Sequence, residues 1–200
     1  MKRLLIIGAG GHGHVAADIA RLRGYEDIAY LDDVPRDGVI GTVADAKQYI
    51  PTADFFVAIG NGKIRERIQR ELEEMNATVV TLIHPSAVIA SGVRIGRGSM
   101  IAAGAIVCVD VTLGDGVIVN TAASVDHDCT VGDFTHVSVG SHVCGTVHIG
   151  RCTWIGAGAT VINNVDITDD CMIGAGAVVV KDITVSGVYK GVPARRSESK

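Results

Sequence analysis

The residues of this sequence best suited to chemistry are a histidine, the acid after it and a glycine 18 residues later: His127, Asp128 and Gly145. A neutral imidazole, whose unperturbed pKa is about 6.5, can accept the proton of an attacking amine. An adjacent carboxylate can raise the basicity of the ring, and a free backbone N–H can stabilise an oxyanion. We therefore expect His127 to act as a base beside the Gly145 N–H, a pair suited to acyl transfer.

Three further histidines, His136, His142 and His148, follow at intervals of six residues. In the repeat described below, each takes a mid-strand position that faces outward. A surface histidine is usually solvated, and this interpretation is favoured for His142 and His148. For His136 a solvated role and a functional role both remain open.

A glycine-rich segment near the start offers a second kind of chemistry. Gly8–Gly13 fits the pattern G-x-G-x-x-G between an apolar run and a helical pattern, and Asp32 and Asp33 follow about twenty residues later. Such a turn lets backbone approach phosphate at a helix N-terminus, while the acids can accept hydrogen bonds from a ribose or a base. Only about 80 residues precede the repeat, which suits a mononucleotide diphosphate. Bound NAD, or a glycine turn that serves packing alone, are the alternatives.

The elements that position His127 are short repeated strands. From Ile83 to Val185 every sixth residue is aliphatic, and the residues four positions later, from Ala87 to Ala177, are small or β-branched. Alternating side chains place both sets on the inside of a short strand. Six residues form one side of a triangular prism and eighteen close a coil, with permissive turn residues at the corners. The repeat predicts a left-handed parallel β-helix of nearly six coils, with His127 at a corner beneath Gly145.

The first 80 residues predict an α/β domain of a different kind. Strands are expected at Lys2–Ile7, Asp27–Leu31 and Asp54–Ile59, and helices at His14–Arg23 and Lys63–Met75. This order is typical of a Rossmann-like half-domain with a parallel sheet. We predict two domains, 1–80 for nucleotide binding and 81–200 for the β-helix with its tail, joined near residues 77–82.

Composition narrows the functional classes. The net charge of −4 gives no reason to expect nucleic acid or an anionic membrane as a partner. Five cysteines, an odd number without a C-x-x-C motif, indicate a reducing compartment. The N-terminal apolar run ends at Gly8, too short for a signal peptide or a membrane span. We expect a soluble cytoplasmic protein.

Several motifs together resemble a known family. They are the hexapeptide run and the segments Gly8–Gly13, Leu31–Asp33, Ala58–Asn61, Asn120–Cys129 and Gly187–Arg195. In these the chain resembles the UDP-4-amino-sugar N-acetyltransferases of bacterial glycan biosynthesis, within the wider sialic-acid O-acetyltransferase-like group. The G-x-P-A-R ending is typical of all hexapeptide transferases, whereas the Rossmann-like half with V-D-H-D-C narrows the resemblance to this group.

The resemblance implies direct acetyl transfer from acetyl-CoA to a nucleotide-linked amino sugar, without an acyl-enzyme. It implies His127 as the general base, polarised by Asp128, where the family commonly has Glu. It implies a homotrimer and no metal. The residues implied for the sugar nucleotide are Gly10, Gly11, His12, Asp32, Asp33 and Gly60, and those for acetyl-CoA are His136, Gly145, Ala157 and Ala175.

The positions of His127 and His136 in the repeat also predict how subunits assemble. With His127 at a corner, His136 falls at the centre of the opposite face, more than about 12 Å away across a filled core. If both residues serve acetyl transfer, the site must form between subunits, and a three-sided prism favours a closed trimer.

Other functions remain open at this stage. They are O-acetylation of a sugar hydroxyl, a GDP-linked acceptor, a zinc enzyme like the γ-class carbonic anhydrases, and a non-catalytic nucleotide-sugar-binding protein. Cys129 occupies an inward position and is a poor nucleophile candidate.

Overall fold

A computed structural model describes residues 3–197 of the chain. Lys2, part of the first predicted strand, lies outside the described residues, as do Met1 and residues 198–200 of the two predicted domains. The chain begins with a five-stranded parallel sheet of order β3-β2-β1-β4-β5. Its strands are β1 (Arg3–Ile7), β2 (Ile28–Leu31), β3 (Val39–Gly41), β4 (Ala53–Val57) and β5 (Thr78–Val79).

Two α-helices cover opposite faces of this sheet, α1 (Gly11–Leu22) and α2 (Gly62–Glu74), and a short 3-10 helix spans Val43–Gln48. The side chains of β1 alternate between them, so that Leu4 and Ile6 pack in the cluster with α1, and Leu5 and Ile7 in the cluster with α2. The sheet is therefore buried on both faces, as its continuous apolar strands require.

The first helix begins three residues earlier than the sequence predicted, at Gly11 instead of His14. Gly10 is its N-cap, in an extended conformation, and Gly11 and Gly13 are helical residues. A Cβ atom at Gly13 would lie 2.0 Å from the Gly8 carbonyl oxygen, so glycine here allows helix and strand to approach closely. The prediction was wrong because it assigned all the glycines to the turn.

Residues 82–196 form a parallel β-helix with three faces. Face 1 consists of β6 (Leu82–Ile83), β9 (Met100–Ile101), β12 (Ile118–Val119), β15 (His136–Val137), β18 (Trp154–Ile155), β21 (Cys171–Ile173), β23 (Gly187–Lys190) and β24 (Arg195–Arg196). Face 2 consists of β7 (Val88–Ile89), β10 (Ile106–Val107), β13 (Ser124–Val125), β16 (His142–Val143), β19 (Thr160–Val161) and β22 (Val178–Val179). Face 3 consists of β8 (Arg94–Ile95), β11 (Thr112–Leu113), β14 (Thr130–Val131), β17 (His148–Ile149) and β20 (Asp166–Ile167).

From β6 to β22 each strand pairs in parallel with the strand 18 residues away, as Ser124 with His142, except β21, whose next partner β23 lies 16 residues on. The last strand, β24, pairs antiparallel with β23. The aliphatic and small positions of the repeat fill one continuous core from Ile101 to Val179. The predicted left-handed parallel β-helix is confirmed. At its end, Val185, the last aliphatic position of the series, is 51% exposed instead of buried, because the chain leaves the coil toward β23.

The corner positions of the β-helix share one backbone conformation. Every sixth residue from 92 to 176 has a positive φ, including residues with side chains such as Asp128, Phe134 and Cys152. The glycines that follow the aliphatic positions have another purpose, since a Cβ at Gly96 would lie 2.4 Å from the next coil's Gly114. Turn conformation and close packing of coils are thus divided between two positions of the hexapeptide.

The α/β domain packs on face 1 and on the corner between faces 3 and 1, called corner 3–1. Helix α1 lies in one apolar cluster with Leu82, Met100 and Ile118 on the outer side of face 1. Helix α2 follows corner 3–1 with side chains of alternating charge. Its ion pairs with the β-helix are Lys63–Asp170 (3.0 Å), Glu66–Arg151, Arg70–Asp115 (2.9 Å), Arg70–Asp133 (3.4 Å) and Glu73–Arg97 (3.8 Å).

None of the helices within residues 3–197 is long and apolar enough to span a membrane.

Candidate active site

His127 lies at the corner between faces 2 and 3, called corner 2–3, with its side chain about half exposed. Its Nδ1 lies 2.8 Å from Asp128 Oδ2, and its backbone N–H donates to Asp126 Oδ1 at 2.8 Å. The hydrogen bond with Asp128, followed by the charge of Asp126, raises the pKa of His127. The Asp128 carboxylate accepts a hydrogen bond from Nδ1–H. The neutral ring therefore keeps its proton on Nδ1 and presents an unprotonated Nε2 to solvent.

Gly145 lies against this ring, one coil further on. A Cβ atom at Gly145 would lie 2.5 Å from Nε2 and 2.6 Å from Cε1 of His127, so only glycine leaves room for the imidazole. The Gly145 carbonyl accepts from the Asn164 N–H, whereas its own N–H has no acceptor among residues 3–197. The corner thus places a proton acceptor beside a free backbone donor.

The glycine-rich turn forms a second group at the start of α1. Space is open around Gly10 and Gly11, where a Cβ would meet no atom within 4 Å. Asp32 stabilises the turn, since its carboxylate accepts hydrogen bonds from the Ala9 N–H (2.7 Å) and the Val34 N–H (2.9 Å). These two bonds lower the pKa of Asp32. Asp33 accepts from the Val43 N–H at 3.1 Å. Asp32 therefore holds the open turn, whereas Asp33 holds the start of the 3-10 helix and lines a cavity with residues of α2.

His136 is not a solvated surface residue. It faces outward from the β-helix as predicted, but the α/β domain covers face 1 there and leaves it 6% exposed. Its ring stacks on Trp154 at 4.9 Å and lies 6.0 Å from the ring of His12. Burial and then the charge of Arg65 lower the pKa of His136 to about 3 and that of His12 to about 4.

The tautomer of His136 follows from its neighbour Asn120. The Asn120 Oδ1 accepts from the Thr121 N–H at 2.8 Å, so the amide nitrogen faces His136 Nε2 at 3.1 Å. An amide nitrogen can only donate, and His136 Nε2 is therefore the acceptor. The ring proton then lies on the buried Nδ1, and a backbone hydrogen bond with Gly60 partly opposes the lowering of the His136 pKa.

Two cavities meet at Trp154. The first, of about 130 Å³, lies between α2 and face 1 and is bordered by Gly60, Lys63, His136 and Trp154. The second is an apolar groove of about 360 Å³ along the corner between faces 1 and 2, called corner 1–2. Exposed Ala157 and Ala175 line this groove together with the other side of Trp154.

Outside the glycine-rich turn and its two acids, the predicted site residues form three groups. His127, Asp128 and Gly145 share corner 2–3; Ala157 and Ala175 share corner 1–2; Gly60, His12 and His136 share the cleft between α/β domain and face 1. Within one chain the structure does not bring the first group to the third, because corner 2–3 lies opposite face 1. His142 and His148 are exposed, as predicted.

Sequence reasoning missed three residues of the cleft: Asn120, Trp154 and Arg65. Trp154 is the chain's single tryptophan and stands 18 residues after His136, so the repeat alone could have placed it beside that ring. No comparable signal marked Arg65, which lies in a helix with many charged residues. Within residues 3–197, no three His, Cys, Asp or Glu residues are grouped closely enough to hold a metal ion.

Comparisons with known proteins cover both parts of the chain. The model of the PglD N-terminal domain matches residues 3–72, and the model of the bacterial transferase hexapeptide (six repeats) matches residues 146–181. A UDP-N-acetylbacillosamine N-acetyltransferase of Bacillus subtilis (strain 168) is 33% identical over 113 residues. That alignment spans 52% of this chain and about half the length of the relative.

Two solved structures match almost the whole chain. The acetyltransferase domain of PglB from Neisseria gonorrhoeae FA1090 is 39% identical, with a TM-score of 0.95 over 98% of this chain and 100% of that one. PerB from Caulobacter crescentus, solved in complex with CoA and GDP-perosamine, is 36% identical, with a TM-score of 0.95 over 99% and 98%. Fold, motifs and identity over the full length agree, and the chain belongs to the bacterial UDP-4-amino-sugar N-acetyltransferase family of hexapeptide-repeat proteins.

Proposed function

We propose that this chain transfers the acetyl group of acetyl-CoA to the amino group of a nucleotide-linked amino sugar. One observation carries the proposal: an imidazole held by a carboxylate at 2.8 Å lies against a glycine whose N–H is free among the described residues. Relatives that match the whole chain are an acetyltransferase domain bound to acetyl-CoA and a sugar N-acetyltransferase bound to CoA and GDP-perosamine.

The proposed reaction is a direct transfer in a ternary complex. The amine lone pair attacks the thioester carbonyl carbon while His127 Nε2 accepts the amine proton. The carbonyl oxygen becomes an oxyanion that the Gly145 N–H stabilises, and Asp128 stabilises the imidazolium that forms. The carbon–sulfur bond then breaks, and the thiolate leaves as CoA thiol with the proton that the imidazolium returns. The products are an acetamido sugar and free CoA.

The acceptor is proposed to bind in the α/β domain, residues 1–80. The N–H groups at the start of α1 and the open space at Gly10 and Gly11 suit a diphosphate. Asp32 borders this turn and Asp33 follows it in the chain, and both are proposed to contact the acceptor, while His12 and Gly60 extend the site toward face 1. The UDP-N-acetylbacillosamine relative favours UDP as the nucleotide. Calorimetry with UDP and with NAD tests whether the α/β domain binds a UDP-sugar. Tight binding of NAD with none of UDP would contradict this proposal.

Acetyl-CoA is proposed to lie along the β-helix domain, residues 81–200. The apolar groove of Ala157 and Ala175 suits the pantetheine arm of the donor. Trp154 separates this groove from His136, whose ring lies 6.0 Å from that of His12, and His136 is proposed to contact acetyl-CoA where the two substrates meet. Gly145 belongs to corner 2–3, across face 2 from this groove, and its contact with acetyl-CoA is proposed to come from a second subunit.

A cytoplasmic trimer with shared sites completes the proposal. His127 stands at corner 2–3, whereas the proposed acceptor site lies over face 1 of the same chain. Closed threefold packing would bring this corner of one subunit to face 1 of its neighbour. Sedimentation tests the assembly, and an active monomer would exclude the shared site.

An acceptor screen tests the function. The protein is incubated with acetyl-CoA and UDP- or GDP-linked 4-amino sugars, and the product mass is recorded, because the chain's five cysteines would react with a thiol reagent. We expect a gain of one acetyl group on the UDP-linked amine. Acetylation only of a hydroxyl would indicate an O-acetyltransferase. Binding without turnover would indicate a non-catalytic protein, and activity that follows added zinc would indicate a metalloenzyme.

A GDP-linked amino sugar is the second candidate acceptor. Its support is the three structures of the Caulobacter crescentus enzyme with GDP-perosamine, 34–36% identical to this chain over nearly its whole length. The same screen decides between the two nucleotides by the ratio of kcat/KM.

A further inference from the structure

Helix α2 contains an arginine that is entirely buried between the two domains. Arg65 is 0% exposed, and its five N–H groups all point at backbone carbonyl oxygens. The bonds run from Nε to Gly116 (2.8 Å), from Nη1 to Ile59 (2.6 Å) and Gly60 (2.9 Å), and from Nη2 to Phe134 (2.5 Å) and, more weakly, Thr135 (3.5 Å).

These carbonyls belong to three separate segments that meet at the cleft. Ile59 and Gly60 form the loop between β4 and α2, and Gly116 lies in a turn of the β-helix. Phe134 and Thr135 lead directly into His136. One planar side chain therefore fixes the distance between the Gly60 loop and the strand of His136. Only arginine has enough donors in a fixed fork for this task.

The charge of Arg65 is not balanced by an acid. Within the described part of the chain it has no ion-pair partner, and burial lowers its pKa to about 10, which leaves it protonated at neutral pH. A buried charge is costly unless it is compensated, and here five carbonyl dipoles compensate it in place of an acid. His12 and His136 are neutral beside it, and its positive potential is therefore available to a ligand in the cleft.

We propose that Arg65 is the positioning residue of the acceptor site. It holds the Gly60 loop in register with His136, and its unbalanced charge adapts the cleft to the diphosphate of the acceptor. This inference rests on the proposed function, since it assigns the cleft to the nucleotide-linked sugar and not to acetyl-CoA.

Gln69 supplies a matched control. It lies one turn further along the same face of α2, is equally buried, and also donates to a β-helix carbonyl, that of Arg97 (3.2 Å). It has no charge and contacts neither Gly60 nor His136. Arg65→Met and Gln69→Met therefore both remove a polar contact between the domains, but only the first removes the proposed positioning group.

The experiment measures both KM values for each variant. We expect Arg65→Met to raise KM for the nucleotide sugar about tenfold, the effect of one unit charge at several ångströms in a protein. KM for acetyl-CoA and kcat should change less than about threefold, well below that effect. Gln69→Met should lower the unfolding temperature and leave both KM values near those of the wild type. Equal KM shifts for the two substrates, or the same KM pattern in both variants, would overturn the proposal.

Arg65→Lys is a second test variant, to be used if Arg65→Met does not fold. Lysine keeps the charge and loses the fork, so KM for the nucleotide sugar should rise about threefold, less than when the charge is lost. An unchanged KM would overturn the positioning role. Dissociation constants for UDP and GDP, read from the fluorescence of the single tryptophan Trp154, need no turnover. They test Arg65 even if the wild type acetylates none of the acceptors, a result that would reject the proposed function alone.

Discussion

Gly145→Ala isolates the contact between the backbone of one coil and the imidazole of the previous one. The change keeps the Gly145 N–H, so the proposed oxyanion donor remains in place. It adds one methyl group, whose carbon would lie 2.5 Å from His127 Nε2. Gly145 is not in the left-handed region, and alanine there meets no backbone strain.

The size of the effect follows from these distances. An ordinary contact at Nε2 begins near 3.4 Å, so the ring must move by about 1 Å. A displacement of about 1 Å of a catalytic group can lower kcat about 100-fold. The ring is half exposed and free to rotate away, and the free energy of unfolding should therefore change by about 0.5 kcal/mol or less.

The assay compares kcat and thermal unfolding of Gly145→Ala, His127→Ala and the double variant. If the methyl group acts by displacing His127, it should cost nothing further once the ring is absent. A single variant with more than about one third of the wild-type kcat would refute the reasoning, given the expected loss. So would a further loss in the double variant.

Four more predictions follow from the same geometry. His127→Ala should lower kcat by roughly 10²–10⁴ in steady-state assays at neutral pH, and a loss below threefold would reject the base. Asp128→Ala should be milder; since the lost hydrogen bond had raised the His127 pKa, the acid limb of the kcat–pH profile should move to lower pH, and an unmoved limb would contradict this. Mixing His127→Ala with His136→Ala protein under proven subunit exchange should restore part of the activity, and no rescue would refute a shared site. Glu66→Arg should lower the unfolding temperature, and adding Arg151→Glu should recover about 0.5–1 kcal/mol if their ion pair sets the docking of α2.

The β-helix could be predicted almost entirely from the sequence because the position of each residue in a short repeat determines its place in the fold. A six-residue period fixes which side chain points inward, and an 18-residue period fixes which residues stack. The neighbours His127 and Gly145 followed from this count alone. The exposed end at Val185 did not, since a period contains no signal for where the chain leaves the last coil.

The cleft could be predicted only in part, because it depends on contacts between distant segments. The repeat assigned His136 to an outer face correctly, but not the domain that covers it. The charged, amphipathic pattern of α2 did not show that the polar residues Arg65 and Gln69 are fully buried. Strands β3 and β5 were not predicted; each has only two or three residues, too few for a recognisable pattern.

The three corners of the prism differ in how they meet the need for a positive φ. Corner 2–3 and corner 3–1 often use residues with side chains, such as Asp128 and Cys152, whereas four of the five such positions on corner 1–2 are glycine: Gly104, Gly140, Gly158 and Gly176. Most of the side chains beside them are small, such as Ala157 and Ala175, with Val139 a larger one. Alanine scanning, which removes atoms, has little to remove along the part of this edge that lines the groove. The proposed binding of acetyl-CoA here would use vacant volume, so that enlargement, as in Ala157→Phe, is the change that tests it.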